Sequence, residues 1–178
     1  MEAEDVRQIV TLPATISKLK QVKRFVLYGS HLVRIPQQIG EMTSLETFTP
    51  YTSWRLHWFP YEITRCKNLK GSTVSTRSLY GNYKFRPPFP RLGRPLTPMV
   101  RFAASDGLIR RCSVCDREFL DWGLHRVWIS LAVATDVLPL LVNACSEDCI
   151  RALPTPAADY VPSPHRGGLK VRQPAARS

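Results

Sequence analysis

The sequence lacks the short motifs by which several large enzyme classes bind substrates or metals. It has no glycine-rich phosphate loop, no His-Glu-x-x-His pair and no Gly-x-Ser-x-Gly nucleophile turn. Zinc deaminases carry His-x-Glu upstream of their cysteine pair, and neither His31 nor His57 supplies it. We therefore expect a protein that is not an enzyme.

Long apolar runs are also missing. The most apolar stretch, residues 127–142, contains Asp136 and Pro139 and is too short to cross a bilayer. The chain starts Met-Glu-Ala-Glu-Asp, without the basic and then apolar residues of a secretion signal. We expect a soluble, cytoplasmic protein with no membrane partner, in which paired cysteines more often bind a metal than form disulfides.

Acidic residues are scarce in the first half of the chain. The net charge is +11, and residues 1–96 hold 15 Lys and Arg against 6 Asp and Glu, a net of +9. Residues 97–178 hold 10 against 8, a net of only +2. This balance favours acidic partners through long-range attraction.

One phrase occurs three times in the first 80 residues: an apolar residue, Pro, two further residues and Ile. The copies begin at Leu12, Ile35 and Phe59, which are 23 and 24 residues apart. Such a period indicates stacked repeats, in which each unit buries its apolar side against its neighbours. The apolar positions that continue each phrase in register are Ile16, Leu19, Val22, Phe25, Leu27 and Leu32; Ile39, Met42, Leu45, Phe48, Pro50 and Leu56; and Ile63, Cys66, Leu69, Val74 and Leu79.

Over about residues 12–82 this order resembles the leucine-rich repeat family of the bacterial or intracellular type, written L-P-x-x-I-x-x-L-x-x-L-x-x-L-x-L-x-x-N-x-L. The family's Asn corresponds here to Ser30, Ser53 and Arg77, the second copy has an extra residue before Leu56, and polar Ser72 occupies an apolar position. The resemblance implies an α/β repeat fold, a short solenoid of parallel strands with helical turns on its convex side. An ordinary small α/β domain is the alternative.

The concave face of such a sheet is the predicted partner-binding surface. Neighbouring side chains along a strand point to opposite faces. With Phe25 and Leu27 directed inward, the residues that alternate with them, Arg24, Val26 and Tyr28, face outward. The counterparts of these residues in the third copy are Gly71, Thr73 and Ser75. The predicted face consists of Arg24, Val26, Tyr28, Thr47, Thr49, Tyr51 and Thr73. Cys66, by contrast, is predicted to be part of the core.

Four of the five cysteines form two close pairs. Cys112-Ser-Val-Cys115 and Cys145-Ser-Glu-Asp-Cys149 give the C-x2-C and C-x3-C spacing of a zinc site with four thiolates. Four such ligands leave no open position on the metal, so we predict a structural zinc ion. A reducible disulfide, unliganded buried thiols, or His125 in place of one cysteine are the alternatives.

The residues around the pairs predict small secondary-structure elements. Ser146 followed by two acidic residues predicts a helix start, and Pro154 ends that helix. Because a helix N-terminus favours negative charge, we expect Cys145 and Cys149 to deprotonate readily for a metal ion. The predicted tight turn that carries Cys112 and Cys115 is called the knuckle. The order of knuckle, strands and helix resembles the treble-clef zinc fingers, which implies a small α+β zinc-binding module. The predicted strands are residues 108–111, 127–133 and 140–142.

The chain is thus predicted to contain four parts. These are a repeat block over residues 1–82, with residues 1–11 covering the first repeat, a proline-rich wrap over 83–98, the zinc-binding module over 99–154 and a loosely held, basic, Pro/Gly-rich tail over 155–178.

Two functions follow from this organisation. The first is a non-enzymatic adaptor that binds an unidentified protein on the concave face, with the zinc module closing the end of the repeats. The alternative is nucleic-acid binding by residues 80–111, where cations would meet phosphates and aromatic rings would stack on bases. Its aromatic residues are Tyr80, Tyr83, Phe85 and Phe89. Its basic residues are Lys84, Arg86, Arg91, Arg94, Arg101, Arg110 and Arg111.

Overall fold

The structure, a computed structural model, describes residues 10–93, 109–120 and 123–175. Most of the predicted lead-in, together with Arg94 and Arg101, lies outside these residues. The strands are β1 Arg24–Val26, β2 Thr47–Thr49, β3 Phe59–Pro60, β4 Gly71–Ser72, β5 Ile109–Arg111, β6 Glu118–Leu120, β7 His125–Val133 and β8 Asp136–Ala144. The helices are four 3-10 helices, Ala14–Lys18, Gln37–Glu41, Tyr61–Arg65 and Thr76–Ser78, and one α-helix, α1, Glu147–Arg151. No helix in the described part of the chain is long and apolar enough to cross a membrane.

The first two copies of the repeated phrase each contribute one short strand and one 3-10 helix, and the third contributes β3, two 3-10 helices and β4. The first 3-10 helix of each copy starts directly after the proline of that copy, whose φ of about −70° to −75° suits a helix start. Strands β1, β2 and β4 form a parallel sheet in that order, with Phe25 opposite Phe48 and Phe48 opposite Ser72. The result is a mixed α/β domain built on a parallel sheet.

Buried serines join successive copies. The hydroxyl of Ser30 donates to the carbonyl of Leu27 at 2.7 Å and lies 3.1 Å from the hydroxyl of Ser53, which accepts from the amide of Leu32 at 3.0 Å. In the third copy the residue that corresponds to Ser30 and Ser53 is Ser78, one position after the predicted Arg77. Arg77 is exposed, and the hydroxyl of Ser78 donates three residues back, as that of Ser30 does.

A second sheet joins the repeated region to the cysteine-bearing region. Strands β7 and β8 form an antiparallel hairpin with nine residue pairs, longer than the predicted strands. Strand β3, which begins the third copy, pairs in parallel with β8, so that Phe59 lies opposite Leu140. The two predicted modules therefore share one sheet and one hydrophobic core.

The turn of the β7–β8 hairpin covers the outer edge of β4. The hydroxyl of Thr135 donates to the carbonyl of Ser72 at 2.6 Å and accepts from the amide of Ser72 at 3.2 Å. The buried hydroxyl of Ser72 lies 2.9 Å from a carboxyl oxygen of Asp136 and 3.2 Å from the carbonyl of Val133. Ala134 makes the tight turn possible with a left-handed φ of 51°. The polar residue at this apolar repeat position is thus the docking point of the hairpin.

The predicted loose tail is wrong for residues 155–175. The backbone of His165 exchanges two hydrogen bonds with that of Trp128, at 2.7 and 3.0 Å, along the free edge of β7. Val161 is buried, and Phe89 from the proline-rich wrap packs against Trp128. Backbone hydrogen bonds, which no apolar pattern in the sequence indicates, supply part of this docking.

Candidate metal centre and binding face

The four predicted ligands converge. The sulfur atoms of Cys112, Cys115, Cys145 and Cys149 all lie within 4.8 Å of one another. Cys145 Sγ lies 3.6 Å from both Cys115 Sγ and Cys149 Sγ. A tetrahedral zinc ion with Zn–S bonds of about 2.3 Å requires sulfur atoms about 3.8 Å apart. The cluster can therefore hold a metal ion.

The first pair lies in the turn between β5 and β6. The amide of Cys112 donates to the carbonyl of Arg117 at 2.9 Å, and the amide of Asp116 donates to the carbonyl of Cys112 at 3.0 Å. Asp116 has a left-handed φ of 61°, which turns the chain back immediately after the second cysteine. The amides of Cys115 and Cys145 lie 3.5 and 3.4 Å from Cys112 Sγ.

The second pair spans the junction of β8 and α1. Cys145 follows the last residue of β8, and the side chain of Ser146 accepts from the amide of Cys149 at 3.3 Å, as the predicted N-cap should. The short helix thereby holds Cys149 on the same side as Cys145.

The thiols do not all ionise alike. A backbone hydrogen bond at Arg117 lowers the pKa of Cys115 to about 6, whereas burial raises the pKa of Cys145 to about 12 and also raises that of Cys149. Without a metal ion, burial and the neighbouring sulfurs thus favour the protonated form of both thiols. The prediction that Cys145 and Cys149 deprotonate readily for a metal stays a prediction, since a divalent cation would offset both effects and favour the thiolates.

Two residues of the third copy hold the knuckle. Arg65 donates to Asp116 Oδ1 at 3.0 Å and to the carbonyl of Ser113 at 3.1 Å. Glu62, which is 4% exposed, accepts from the hydroxyl of Ser113 at 2.7 Å, and burial raises the pKa of its carboxyl. Sequence reasoning missed both residues, because they lie about 50 positions from their partners and no local pattern connects them.

The remaining histidine and cysteine candidates lie outside the cluster. His125 is half-buried, with Nδ1 2.8 Å from Glu147 Oε1. Cys66 is buried, its thiol donates to the carbonyl of Ile39 at 3.2 Å, and burial raises its pKa to about 11. The prediction that Cys66 belongs to the core is confirmed.

The outer face of the first sheet carries exposed aromatic residues. Tyr28 and Tyr51 stack with ring centroids 6.3 Å apart and planes within 3°, and Trp54 lies 6.1 Å from Tyr51. The exposed fractions of these three residues are 65%, 41% and 46%. Arg24, Val26 and Thr73 are also exposed, while Thr47 and Thr49 are half-buried. Ser75, expected to face outward, is buried, and sequence reasoning missed Trp54.

The basic residues of the nucleic-acid alternative belong to two different segments. Lys84, Arg86 and Arg91 lie in the wrap, beside exposed Tyr83 and Phe85. Arg110 and Arg111 lie on β5; Arg111 forms ion pairs with Asp116 and Glu118, and Arg94 is outside the described residues. Tyr80 and Phe89 pack on Trp128, which leaves half of the predicted stacking residues engaged in the fold.

Comparison with known proteins gives no assignment. No protein-family model matches the chain, and no curated protein matches its sequence.

Proposed function

We propose that this protein is a non-enzymatic adaptor that binds a protein partner on the exposed face of its first sheet. The observation that carries the proposal is the row of neighbouring aromatic residues, Tyr28, Tyr51 and Trp54, each of which is at least 41% exposed. Aromatic side chains are enriched in protein interfaces, where they supply large contact areas at little entropic cost. The cytoplasmic location and the leucine-rich repeat relationship remain predictions alongside it.

The second part of the proposal is a structural role for zinc. The four thiolates of Cys112, Cys115, Cys145 and Cys149 would complete a tetrahedral shell, which leaves no position for a substrate or a reactive water. The ion would connect the β5–β6 turn to the start of α1. Arg65 and Glu62 would extend that connection to the third copy of the repeated phrase.

Native mass spectrometry tests the zinc assignment. We expect one zinc ion per wild-type chain and loss of that ion in Cys115→Ser. Cys66→Ser is the matched control, because the fifth cysteine lies outside the cluster, and it should retain one ion. A reduced wild-type protein without metal, or equal loss in both variants, would refute the site.

Affinity capture tests the binding face. Tyr28→Ala combined with Tyr51→Ala should lose the partner that the wild type retains. Tyr83→Ala combined with Phe85→Ala removes two other exposed aromatic residues and should retain it. An identical set of captured proteins for wild type and the Tyr28/Tyr51 variant would count against the binding face.

The same two variants test the nucleic-acid alternative. If the wrap binds single strands, Tyr83→Ala with Phe85→Ala should lose binding to a mixed-sequence oligonucleotide, and that binding should weaken steeply with salt. If the wild type does not bind oligonucleotides at low salt, this alternative is excluded.

A further inference from the structure

A small cavity lies between the proline-rich wrap and the C-terminal segment. Its volume is about 200 Å³, and its lining residues are Tyr83 of the wrap and Ala158, Asp159, Tyr160 and Ala175 of the C-terminal segment. Pockets for drug-sized ligands have volumes of about 300–1,000 Å³. The cavity is therefore suited to a small chemical group rather than to a large ligand. It shares no lining residue with the four-cysteine cluster or with the aromatic row of the first sheet.

Hydrogen bonds hold both walls of the cavity in place. On one side, Asn82 Oδ1 accepts from the amides two and three residues later, at 2.9 and 3.2 Å, which fixes the turn that carries Tyr83. On the other side, the amide of Ala157 donates to the carbonyl of Ser130 on β7 at 2.8 Å. The amide of Tyr160 then donates to the carbonyl of Ala157 at 3.3 Å. Both tyrosines thus belong to anchored backbone, and a ligand does not have to order them.

The charges around the cavity are mainly negative. Asp159 is one of its lining residues. Burial raises the pKa of the Tyr160 hydroxyl, and the nearby Tyr83, Asp136 and Asp159 raise it further. Among the described residues that line the cavity, none carries a positive charge. A cation is therefore the charged ligand that this space favours.

The tyrosine rings add a second attraction for cations. The face of an aromatic ring is negative, and a cation within about 6 Å of its centroid is attracted to it. Lys84 shows this for Tyr83, since its Nζ lies 5.7 Å from the centroid of that ring. The same lysine is a competing positive charge. The net charge of +11 opposes a cation only weakly, because charges more than about 8 Å away are largely screened at physiological ionic strength.

The small number of hydrogen-bond acceptors determines which kind of cation fits. A lysine ammonium has three N–H donors and an arginine guanidinium has five, and burying them without acceptors is unfavourable. The lining side chains offer two phenol oxygens and one carboxylate, and Asp159 already has an interaction within the chain. A quaternary ammonium has no N–H donor and binds to aromatic rings. Its methyl groups can also pack on Ala158 and Ala175.

We propose that this cavity binds a methylated ammonium group. The rings of Tyr83 and Tyr160 contact the methyl groups, and Asp159 supplies the opposite charge. Choline-type small molecules and trimethylated lysine side chains both carry such a group, and the cavity recognises the chemistry that they share. The inference does not depend on the proposed binding face of the first sheet.

NMR titration of the full-length protein tests this inference. The probe is choline. One control ligand is dimethylbutanol, the uncharged analogue with carbon in place of the nitrogen, and the other is ethanolamine, which keeps the charge but lacks the methyl groups. We expect the amide signals of Tyr83 and Tyr160 to shift and saturate with choline. Choline should bind at least about tenfold more tightly than either control ligand.

Substitutions distinguish the cavity from its surroundings. Tyr83→Leu removes one ring but keeps an apolar side chain, and it should weaken choline binding about three- to tenfold. Phe85→Leu is the matched control, because Phe85 is an exposed aromatic residue of the same turn that does not line the cavity. Asp159→Asn, which tolerates the left-handed φ of 65° at this position, should weaken binding about threefold. Lys84→Gln removes the competing charge and should strengthen it.

Contrary results overturn the inference in different ways. Equal affinity for dimethylbutanol would show an apolar cavity without preference for a cation. Equal affinity for ethanolamine would show that the methyl groups do not contribute. Equal weakening by Tyr83→Leu and Phe85→Leu would place the binding elsewhere, and weaker binding by Lys84→Gln would contradict the role of charge.

A second titration identifies the source of the methylated group. Its probes are a short peptide with one trimethyllysine and the same peptide with unmodified lysine. Tighter binding of the trimethylated peptide than of choline assigns the group to a partner protein, whereas binding of choline alone assigns it to a small molecule. Preference for the unmodified peptide, or no binding of either methylated ligand, would refute the site. Tyr28→Ala with Tyr51→Ala should bind both as the wild type does, so the adaptor proposal and this inference can fail separately.

Discussion

Ser72 shows how one residue can depart from a repeat for a reason that lies far away in the chain. In the sequence it is a polar residue at an apolar position. In the structure its hydroxyl is buried and bonded to Val133 and Asp136, more than 60 residues later. The sequence therefore showed that Ser72 departs from the repeat, but explaining this departure required the position of the β7–β8 hairpin in the structure.

Replacing Ser72 tests this interpretation. Ser72→Ala removes the single buried hydroxyl that lies within hydrogen-bond distance of the carbonyl of Val133 and the carboxyl of Asp136, and we expect the free energy of unfolding to fall by about 1–3 kcal/mol. Urea denaturation measures the change, with Thr73→Ala, one residue along and exposed, as the control. A loss no greater than that of the control would contradict the role of Ser72.

His165 predicts a pH dependence of the C-terminal segment. Burial lowers its pKa to about 4, its Nδ1 accepts from the amide of Gly167, and its Nε2 is buried without a partner. Below about pH 6.5 the unfolded chain therefore binds a proton that the folded chain does not, so stability should fall as the pH drops from about 6.5 to 4.

The slope of stability against pH measures this effect. His165→Gln should flatten the slope between about pH 6.5 and 4 relative to the wild type, because the titrating group is gone. His31→Gln, a change at an exposed histidine, should leave the slope as it is. Comparing variants removes the contribution of metal release at low pH, which all of them share.

At the scale of elements, features encoded by neighbouring residues were predicted from the sequence, whereas the pairing of distant segments was not. The repeated phrase with its helical turns, the strand before Cys112 and the N-cap Ser146 were all visible within a few residues. The pairing of β3 with β8 joins segments about 80 residues apart, and no periodicity within either segment encodes it. The four-cysteine cluster was predictable because its ligand spacing is a short-range property of each pair.

The N-cap of α1 connects a local element to the candidate metal site. Ser146→Ala removes the side chain that accepts from the amide of Cys149, which typically costs about 0.5–2 kcal/mol of helix stability. Because α1 carries Cys149, we expect weaker zinc binding in competition with a chromophoric chelator. Ser163→Ala, at an exposed site, is the control. Equal zinc affinity in both variants would show that the cap does not position the ligand.

On the scale of the whole molecule, the shared second sheet determines which parts of the fold should open when the metal is removed. The cysteine-bearing region is not a separate cap, since β8 pairs with β3 and Arg65 bonds the knuckle. Chelation should therefore disturb the third copy as well as the cluster. The β1–β2 pairing has no contact with the cluster among the interactions described above and should be the last to open.

Hydrogen exchange during chelation measures this order. We expect the amides of Cys112–Arg117 and of β8 near Leu140 to lose protection first, and those of β2, such as Thr49, to keep it. Uniform loss over all strands would show a single cooperative unit. Unchanged protection near Leu140 would show that the metal does not support the shared sheet.

The hairpin turn on β4 also limits how this protein can change in length. Because Thr135 occupies both backbone groups of Ser72, a duplicated unit added after the third copy would find no free strand to extend. Extra units could join only before β1 or between existing copies. If a unit were inserted between existing copies, the hairpin would still have to pair with a serine in the last unit. The terminal unit therefore cannot be exchanged freely with the others.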